Sequence, residues 1–387
     1  MAEEPLRDTE MRCRSCASTD GVTVLDLGEQ APWDRMPLQG TPLPDATFPL
    51  RMWLCAACGL AQLEVDADVE EELVAVELRA MAEQNDSSVA RLAADGIVRP
   101  GGSLVEYGSP HGDTWLARVA ARGMEALPAE GVAPGTADVV ADLYGLLHAP
   151  DQESALRDRA AMLAPGGTLA LQLLPLETLL RESQWYDLRH GHYAYWSIPA
   201  LETALRRYGL GVHRVHWFPL SGGTVLVVAN ADPEPDEQAL AWIRDDAGLG
   251  VTDPASLHRL QVAADDIARL GNWLVAERAA GRTVAAYGAA SRSVPLVCHA
   301  QLSAELLTAV GDASPAKQGH RMPGTDIPIV TPDELVALEP DRVVLFLESL
   351  ADEVRDQLPQ IEESGGRWVI PVAGTEPVRE LPVRVGA

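Results

Sequence analysis

Four cysteines near the start of the chain have the spacing of metal ligands. They form two C-x-x-C pairs, Cys13 with Cys16 and Cys55 with Cys58. Each pair places two sulfurs on one side of a tight turn, and two such turns together form the tetrahedral cage of a structural zinc site. Because four of only five cysteines fall into this pattern, zinc is favoured over chance motifs or a redox dithiol. With all four positions filled by protein, such a site offers no open position to a substrate.

A second concentration of chemically capable side chains lies in the middle of the chain. Residues 185–197 contain Arg189, His190 and His192 close together. Imidazole titrates near neutral pH and is suited to proton transfer, whereas a guanidinium can stabilise a developing negative charge. The alternative is that both histidines are ordinary polar residues of a loop, and the local sequence alone leaves that alternative open.

The cysteines require a small module to position them, which we place at residues 1–72. Strands are predicted at 22–28, 48–55 and 60–63, so that the second C-x-x-C turn joins two extended segments. Five prolines between positions 32 and 49 exclude a long helix there. They predict an extended loop that the metal must tether.

The middle of the chain, residues 73–235, has the pattern of an open α/β sheet. A helical stretch at about 66–97 precedes a buried strand at 103–108, a glycine-containing turn and a helix at 114–122. Strand, glycine turn and helix form the opening unit of such sheets, and the turn is where they bind ligands. Further strands are predicted at 137–143 and 168–174, and helices at 154–163 and 199–208, the second of these with Ser197 as N-cap. The segments 212–217 and 223–229 are predicted to pair as antiparallel strands.

Residues 236–387 are predicted to form a second α/β domain. An acidic, proline-containing segment at 232–236 marks the boundary. A long helix is predicted at about 254–280, and strands alternate with helices from 283 to 370 in a parallel-sheet pattern. The predicted fold class is therefore α/β in three parts: a small N-terminal zinc module, a central Rossmann-like domain and a C-terminal Rossmann-like domain.

Composition limits the partners that the chain can have. It has 387 residues, 47% of them apolar, and a net charge of −27, which suits two or three domains with sizeable cores. The acidic balance argues against a nucleic-acid or anionic-membrane partner, and no stretch approaches the length of a membrane span. The first residues lack the features of a signal peptide and the cysteines fit a reducing environment, so we expect a cytoplasmic protein. The fifth cysteine, Cys298, stands in an apolar run and is expected to be a buried, inert thiol.

Several stretches together carry a family resemblance. They are the two C-x-x-C pairs with the segments 25–28 and 55–63, the segment 186–197 with 200–202, and C-terminal blocks at 287–292, 312–319 and 322–329. In these residues the chain resembles the deoxysugar C-methyltransferases, which methylate a carbon next to a ketone on nucleotide-linked sugars in antibiotic pathways. The resemblance covers almost the full length. It implies a structural zinc, S-adenosylmethionine as methyl donor and a central domain of the methyltransferase type.

The resemblance also assigns roles to individual residues. C-methylation next to a ketone needs a base, donors for the enolate oxygen and a sulfonium held in line. His192 matches the family's base, and His190 or Arg189 are candidates to face the enolate. Glu125 is a candidate for the cofactor's ribose, or else a solvated charge. The implied cofactor-binding residues are Glu106, Gly108, Ser109, Gly112 and Glu125.

On the cofactor side the chain departs from the family. The family's Gly-Ser-Asn-Asp-Gly loop reads Gly-Ser-Pro-His-Gly at 108–112, and Pro110 removes one N–H donor. A βαβ unit takes about 30 residues, so residues 103–138 are too few for the units that normally precede the strand at 137–143. Only 124–127 can form a second strand, and a third strand is missing. The central domain is therefore expected to be degenerate.

On the substrate side the family's Tyr-His-Glu-His reads Arg-His-Gly-His at 189–192, which removes the carboxylate next to the base. The family's lysine and asparagine in the C-terminal glycine turn correspond to Arg292 and Val294. His111 is a weaker catalytic candidate, and His148 matches a loop histidine common in the family.

Two classes of function remain. The first is a divergent S-adenosylmethionine-dependent C-methyltransferase acting on a nucleotide-linked keto-deoxysugar, with His192 as base. The second is a repurposed relative that does not bind S-adenosylmethionine. It would act as an epimerase, isomerase or lyase on a related substrate, or as a non-catalytic partner protein. The full-length architecture favours the first class, and the shortened cofactor half favours the second.

Overall fold

The computed structural model describes residues 11–67, 79–108, 112–231, 234–244, 248–346, 350–372 and 377–384. Three sheets organise this part of the chain. The helices and strands of the N-terminal and central parts are β1 (Gly21–Gln30), β2 (Phe48–Cys55), β3 (Ala61–Leu63), α1 (Arg79–Ala94), β4 (Ser103–Tyr107), α2 (Leu116–Ala120), β5 (Glu125–Pro128), β6 (Ala137–Leu143), α3 (Gln152–Met162), β7 (Leu163–Leu173), α4 (Leu176–Arg181), β8 (Ala194–Tyr195), α5 (Ile198–Arg206), β9 (Gly211–Phe218), β10 (Thr224–Asn230) and α6 (Glu237–Ile243).

The C-terminal part follows with α7 (Pro254–Asp265), α8 (Ala268–Ala279), β11 (Val284–Tyr287), α9 (Ser293–His299), β12 (Val310–Gly311), β13 (Ile329–Val330), α10 (Pro332–Ala337), β14 (Arg342–Leu345), α11 (Ala351–Gln357), α12 (Gln360–Glu363), β15 (Arg367–Pro371) and β16 (Val378–Glu380). Among the helices of the described residues, none has the length and apolarity that a membrane crossing needs.

The first sheet contains the zinc module and one strand from outside it. Its order is β1-β2-β3-β8, and every neighbouring pair is antiparallel. The three strands predicted for the module are confirmed. The fourth, β8, comes from the segment just after His192 and pairs through Ala61 with Tyr195 and Gln62 with Ala194. The metal module and the histidine segment therefore share one sheet.

The proline-rich loop between β1 and β2 contacts the C-terminal part of the chain. Arg321 forms a bidentate ion pair with Asp45, whose carboxylate also accepts from the Gly324 backbone N–H at 2.7 Å. Leu38 forms an isolated antiparallel bridge with His320. The C-terminal part therefore holds this loop directly, a contact that the sequence pattern did not predict.

The central sheet has the order β5-β4-β6-β7-β10-β9. β4, β5, β6 and β7 are parallel, and β10 runs antiparallel between β7 and β9. The chain runs from β5 to β6 through residues 129–136, all of them described, without another strand. The predicted absence of a third strand is confirmed, and β5 is left as the edge of the sheet.

The helix before β4 is described only from Arg79 onward, so the predicted part at 68–78 lies outside the described residues. Its buried face is largely polar, with Gln84, Asn85 and Ser88 lying over the sheet. Gln84 donates to the Tyr144 hydroxyl at 3.0 Å and accepts from Thr224 at 2.8 Å. This hydrogen-bonded layer fixes α1 over the carboxyl ends of the strands.

The C-terminal sheet has the order β13-β12-β11-β14-β15-β16. Its first five strands are parallel as predicted, and β16 adds an antiparallel edge that the sequence analysis missed. The helical stretch predicted at 254–280 is confirmed, but a turn at residues 266–267 divides it into two helices. The turn allows α7 to pack on β1 of the zinc module while α8 continues toward β11.

The predicted boundary at 235/236 stays a prediction. α6, which follows it, packs against β9 of the central sheet, and Ala239 is fully buried in the core of that sheet. In the described residues, α6 therefore packs on the central sheet although it follows the acidic segment.

Candidate functional site

The four predicted zinc ligands lie together. All four sulfurs are within 4.8 Å of one another, with Cys13 and Cys58 3.5 Å apart and Cys16 and Cys55 3.6 Å apart. Zinc–sulfur bonds of about 2.3 Å give a tetrahedron with edges of about 3.8 Å. A hydrogen bond from Cys58 lowers the pKa of the Cys13 thiol to about 5. These residues therefore fit a structural zinc ion.

The first C-x-x-C turn is also fixed to the central domain. Arg14 donates to the backbone carbonyls of Leu63 and Pro150, and its guanidinium lies 4.9 Å from the centre of the Tyr193 ring. Arg207 donates to the backbone and side-chain oxygens of Ser15. The turn thus contacts the loop before α3 and the segment after His192.

A cavity of about 570 Å³ opens beyond the carboxyl ends of β4, β5 and β6. This is the edge at which open α/β sheets bind ligands. Its lining residues are Tyr107, Gly108, Ala129, Glu130, Gly145, His148 and Arg159. We call it the cofactor-side cavity.

The structure brings some of the predicted cofactor residues to this cavity. Gly108 lines it, and Gly112 lies in the described end of the same loop at a φ of 82° that favours glycine. Ser109 lies outside the described residues, as does His111. These assignments stay predictions.

Glu106 does not line the cavity. Its carboxylate accepts from the Thr114 hydroxyl and the Trp115 backbone N–H, both at 2.6 Å. Burial raises the pKa of this carboxyl, although both hydrogen bonds oppose the shift. Its observed contacts tie the end of β4 to the start of α2, so it positions the loop between them.

Glu125 requires a correction, because it lies at the wrong end of its strand. It is exposed and pairs with Ser103, the first residue of β4. Gly108 follows Ser103 by five residues, which is about 16 Å of extended chain. Glu130, which comes after the end of β5, is the carboxylate at the cavity. Which glutamate reaches the cavity depends on where β5 ends, and the sequence pattern did not show that position.

The walls of the cofactor-side cavity are held by a buried ion pair. Arg159 on α3 contacts the Asp142 carboxylate at 2.5 Å and lies over the Tyr107 ring at 4.2 Å. Asp142 also accepts from the Leu146 backbone N–H at 3.0 Å. A Cβ at Gly145 would meet the Gly108 carbonyl at 3.2 Å. A residue larger than glycine would therefore require this wall of the cavity to shift.

These features fit the adenosine part of S-adenosylmethionine. A carboxylate can bind ribose hydroxyls, and glycines allow the backbone to approach a ligand closely. The aromatic face of Tyr107 adds an apolar wall. The absent third strand leaves the cavity open beside β5.

His192 lies directly behind this cavity. It is 6% exposed, and its ring meets that of His148 edge-on with centroids 4.2 Å apart. Arg189 Nη2 lies 2.9 Å from His192 Nε2, and Arg189 Nη1 donates to Asp187 Oδ1 at 2.7 Å. A polar chain therefore runs from Asp187 through Arg189 and His192 to His148.

His190 is not part of this chain. Its Nε2 lies 3.3 Å from the Pro49 carbonyl oxygen, and its ring packs edge-on against Phe48. The Trp33 indole donates to the His190 backbone carbonyl at 2.7 Å. Burial lowers the pKa of its imidazole. The structure thus places the His190 ring against β2 of the zinc module and away from His192.

A second cavity, of about 610 Å³, lies between the central and C-terminal parts. We call it the interdomain cleft. Arg181, Arg269 and Arg292 line it, together with polar side chains that include Gln184 and Ser221. Two carboxylates, Glu182 and Asp266, line the cleft as well, and Arg269 Nε lies 3.3 Å from Asp266 Oδ1.

Arg292 connects this cleft to the His192 chain. Its Nη2 donates to Ser221 Oγ at 3.2 Å and lies 3.5 Å from Asp187 Oδ1. The buried Asp187 carboxylate therefore contacts two guanidiniums, one facing His192 and one facing the interdomain cleft.

Comparison with known proteins assigns each part of the chain. Residues 13–71 match a domain family described as proposed to bind zinc. Residues 78–215 match a methyltransferase domain, and residues 219–373 match the C-methyltransferase C-terminal domain. The chain therefore combines matches to a zinc-binding type domain, a methyltransferase domain and the C-terminal domain of C-methyltransferases. The C-methyltransferase NovU of Streptomyces niveus is 27% identical over 406 aligned residues, which cover 93% of this chain and 95% of NovU.

Two solved methyltransferases resemble about two fifths of the chain. Magnesium protoporphyrin IX methyltransferase of Synechocystis, solved with bound S-adenosylhomocysteine, is 17% identical with a TM-score of 0.28, and 39% of this chain covers 83% of it. An S-adenosylmethionine-dependent methyltransferase of Mesorhizobium loti is 16% identical with a TM-score of 0.27, and 38% of this chain covers 99% of it. These scores are low, and the fold assignment rests on the strand order.

Three site residues escaped the sequence analysis: Glu130, Asp142 and Asp187. Asp142 stands at the end of a predicted buried strand, where a carboxylate at the ligand-binding edge could have been suspected. Asp187 lies two residues before Arg189, inside the polar segment already selected. Glu130 had no such signal, because its role depends on where β5 ends.

Proposed function

We propose that this protein uses S-adenosylmethionine to methylate a carbon next to a ketone on a nucleotide-linked deoxysugar. The observation that carries the proposal is the position of His192. His192 lies behind the cofactor-side cavity and contacts Arg189. From Arg189 the polar chain continues through Asp187 and Arg292 to the interdomain cleft. The domain matches and the C-methyltransferase NovU support methyl transfer to carbon. The sugar and its place in antibiotic biosynthesis follow from the resemblance in sequence.

The cofactor-side cavity would hold the methyl donor. Glu130 would accept from the ribose hydroxyls, and Gly108 and Gly145 would allow the backbone to approach it. The cofactor supplies an electrophilic methyl group on a sulfonium. The chain's task at this cavity is to orient that group and to exclude water from it.

The interdomain cleft would hold the nucleotide diphosphate of the substrate. Guanidiniums bind phosphate oxygens through paired donors, and Arg181, Arg269 and Arg292 offer three of them. A diphosphate held there would direct the attached sugar toward Asp187 and His192, because Arg292 contacts Asp187. His192 would then remove the proton from the carbon next to the ketone.

A direct test is calorimetric titration of the folded, zinc-loaded protein with S-adenosylhomocysteine. The same sample would then be incubated with S-adenosylmethionine and thymidine or uridine diphosphate-linked keto-deoxyhexoses. We expect one cofactor per chain and a product heavier by one methyl group. His192→Gln should bind the cofactor normally and lose most of the turnover. Absence of binding at millimolar S-adenosylhomocysteine would rule out the methyltransferase function.

The absent third strand favours a second candidate, a repurposed enzyme or non-catalytic partner that does not bind the cofactor. In that case titration with S-adenosylhomocysteine would give no heat. A repurposed enzyme would introduce solvent deuterium into a keto-sugar nucleotide without methylating it, whereas a partner protein would do neither. The two candidates therefore differ in both measurements.

The proposal keeps two further expectations. The zinc would be structural, because four cysteine sulfurs complete its coordination. The clustered thiols suit a reducing compartment, and we retain the cytoplasm as the predicted location.

A further inference from the structure

The contact between Arg189 and His192 determines where the imidazole carries its hydrogen. A guanidinium has only donors and stays charged in proteins. Because Arg189 Nη2 lies 2.9 Å from His192 Nε2, Nε2 must be the acceptor, and the hydrogen of the neutral ring is on Nδ1. In this arrangement the lone pair that a base needs at Nε2 is already occupied.

Arg189 is held in this position from two sides. Asp187 accepts from its guanidinium at 2.7 Å, and the Tyr195 hydroxyl accepts from its backbone N–H at 3.1 Å. The same hydroxyl donates to the Asp187 carbonyl at 3.1 Å. Burial lowers the pKa of Arg189, and the Asp187 carboxylate opposes that shift. The guanidinium is therefore a charged, oriented group in a buried position.

The same side chain retains an unused donor. Within the described residues, Arg189 Nε and Asp187 Oδ2 are buried and have no hydrogen-bond partner. A buried unsatisfied polar group costs about 1–3 kcal/mol. Such groups call for an explanation, and here an oxygen acceptor brought by a ligand would satisfy the free N–H of Arg189.

We propose that Arg189 both locks His192 in the absence of substrate and binds the enolate oxygen during the reaction. This rests on the proposed function. The substrate's keto oxygen accepts from the unused Nε–H of Arg189 and turns the guanidinium, so that Nη2 leaves Nε2 of His192. His192 thus becomes a base only when a ketone is bound. By the resemblance drawn from the sequence, Arg189 and Gly191 stand where the family has tyrosine and glutamate.

The proton and electron balance of this step is complete within the site. Nε2 takes the proton from the carbon next to the ketone and keeps the hydrogen on Nδ1, which gives an imidazolium. The electron pair of the broken C–H bond forms the C=C bond, and a C=O pair moves onto oxygen. The enolate and Asp187 then carry two negative charges beside the positive charges of Arg189, Arg292 and His192. This compensation allows an imidazolium to form next to a guanidinium.

The lock can be tested without any substrate. In ¹⁵N-histidine-labelled, zinc-loaded protein, NMR should find His192 as the Nδ1–H tautomer, with the signals assigned by their loss in His192→Gln. Arg189→Lys keeps a donor and should preserve that tautomer. Arg189→Met has no donor and should shift His192 toward Nε2–H. The proposal is overturned by an Nε2–H tautomer in the unaltered protein, or by an unchanged tautomer in Arg189→Met.

Since Arg189→Met leaves the buried Asp187 carboxylate with only the Arg292 guanidinium, at 3.5 Å, that variant could fail to fold. The double variant Asp187→Asn/Arg189→Met removes both charges and should show the same change of tautomer. Arg278→Met, on the exposed face of α8, is the matched control and should leave the His192 signals unchanged.

Binding of the enolate is tested by exchange of substrate hydrogen with D₂O in the absence of S-adenosylmethionine. With a nucleoside diphosphate-linked keto-deoxyhexose, Arg189→Met should slow exchange by about 100-fold or more, and Arg189→Lys should recover part of the rate. Exchange by Arg189→Met at the original rate would overturn the enolate role. If the tautomer is as expected but the unaltered protein catalyses no exchange, the proposed function fails while the lock stands.

Discussion

Glu125 begins β5, whereas Glu130 follows its carboxyl end, where the cofactor-side cavity lies. Only Glu130 is therefore placed to contact a ligand in that cavity. We predict that Glu130→Gln weakens S-adenosylhomocysteine binding by about tenfold or more, because a hydrogen bond to a charged group is worth about 1.5–3 kcal/mol. Glu125→Gln, at the amino end of β5, should bind as the unaltered protein does. Calorimetry of both variants measures the difference, and equal affinities would remove Glu130 from the cofactor site.

Cys298 provides a second prediction for a single residue. Burial raises the pKa of its thiol to about 12, and the thiol donates to the Pro323 carbonyl at 3.1 Å. A raised pKa means that the thiol is protonated at pH 8, well below that value. We expect the native, zinc-loaded protein to resist alkylation at Cys298 at pH 8 and the urea-unfolded protein to react quickly. Rapid labelling in the native state would contradict the burial.

Residue types and their spacing predict many of the site residues, but they do not predict which side chains contact one another. Spacing alone identified the four zinc ligands, and local polarity selected the segment that holds Arg189 and His192. The contacts Arg189–Asp187 and Arg159–Asp142 could not be foreseen in the same way. A side chain's partner depends on how the loop around it closes, and residue types do not determine that closure. For the same reason His190, equal to His192 by sequence, turned out to face the zinc module.

At the scale of elements, the pairing of β3 with β8 links the metal to the His192 segment. β3 begins three residues after Cys58, and β8 begins two residues after His192. We predict that zinc chelation raises amide hydrogen exchange at 189–196 before it affects β15 in the C-terminal sheet. Cys55→Ser should have the same effect and lower the stability. Mass spectrometry of the exchanged peptides measures this, and protection unchanged by chelation would separate the metal from the histidine segment.

Elements with a strong local pattern were predicted well, and those defined by distant contacts were not. β2 was predicted at the residues where it is found, because an apolar run ends in a C-x-x-C turn. The two-residue β8 exists only through its pairing with a strand more than a hundred positions away. The break between α7 and α8 likewise follows from the two surfaces on which the helices pack. No local residue pattern carries that information.

For the whole molecule, the ion pair of Asp45 and Arg321 joins the first and last parts of the chain. Both side chains are largely buried, and the contact is bidentate. Removing one partner of a buried pair leaves an uncompensated charge and typically costs about 3–5 kcal/mol. We predict a loss of about 3 kcal/mol in the free energy of unfolding for Asp45→Asn and for Arg321→Met. The double variant should lose less than the sum of the two. Urea denaturation of the four proteins measures the coupling, and strictly additive losses would show that the pair does not act as a unit.

The sheet shared by β3 and β8 also limits how this protein could be engineered. A zinc module expressed without the rest of the chain would present β3 as an open strand edge, and open edges recruit strands from other molecules. A chain shortened to begin after the module would leave the His192 segment without the strand on which it is built. Exchange of modules between relatives should therefore succeed only when the donor also supplies the β8 strand that pairs with its own β3. The unit that must be exchanged is thus made of two segments that are far apart in the sequence.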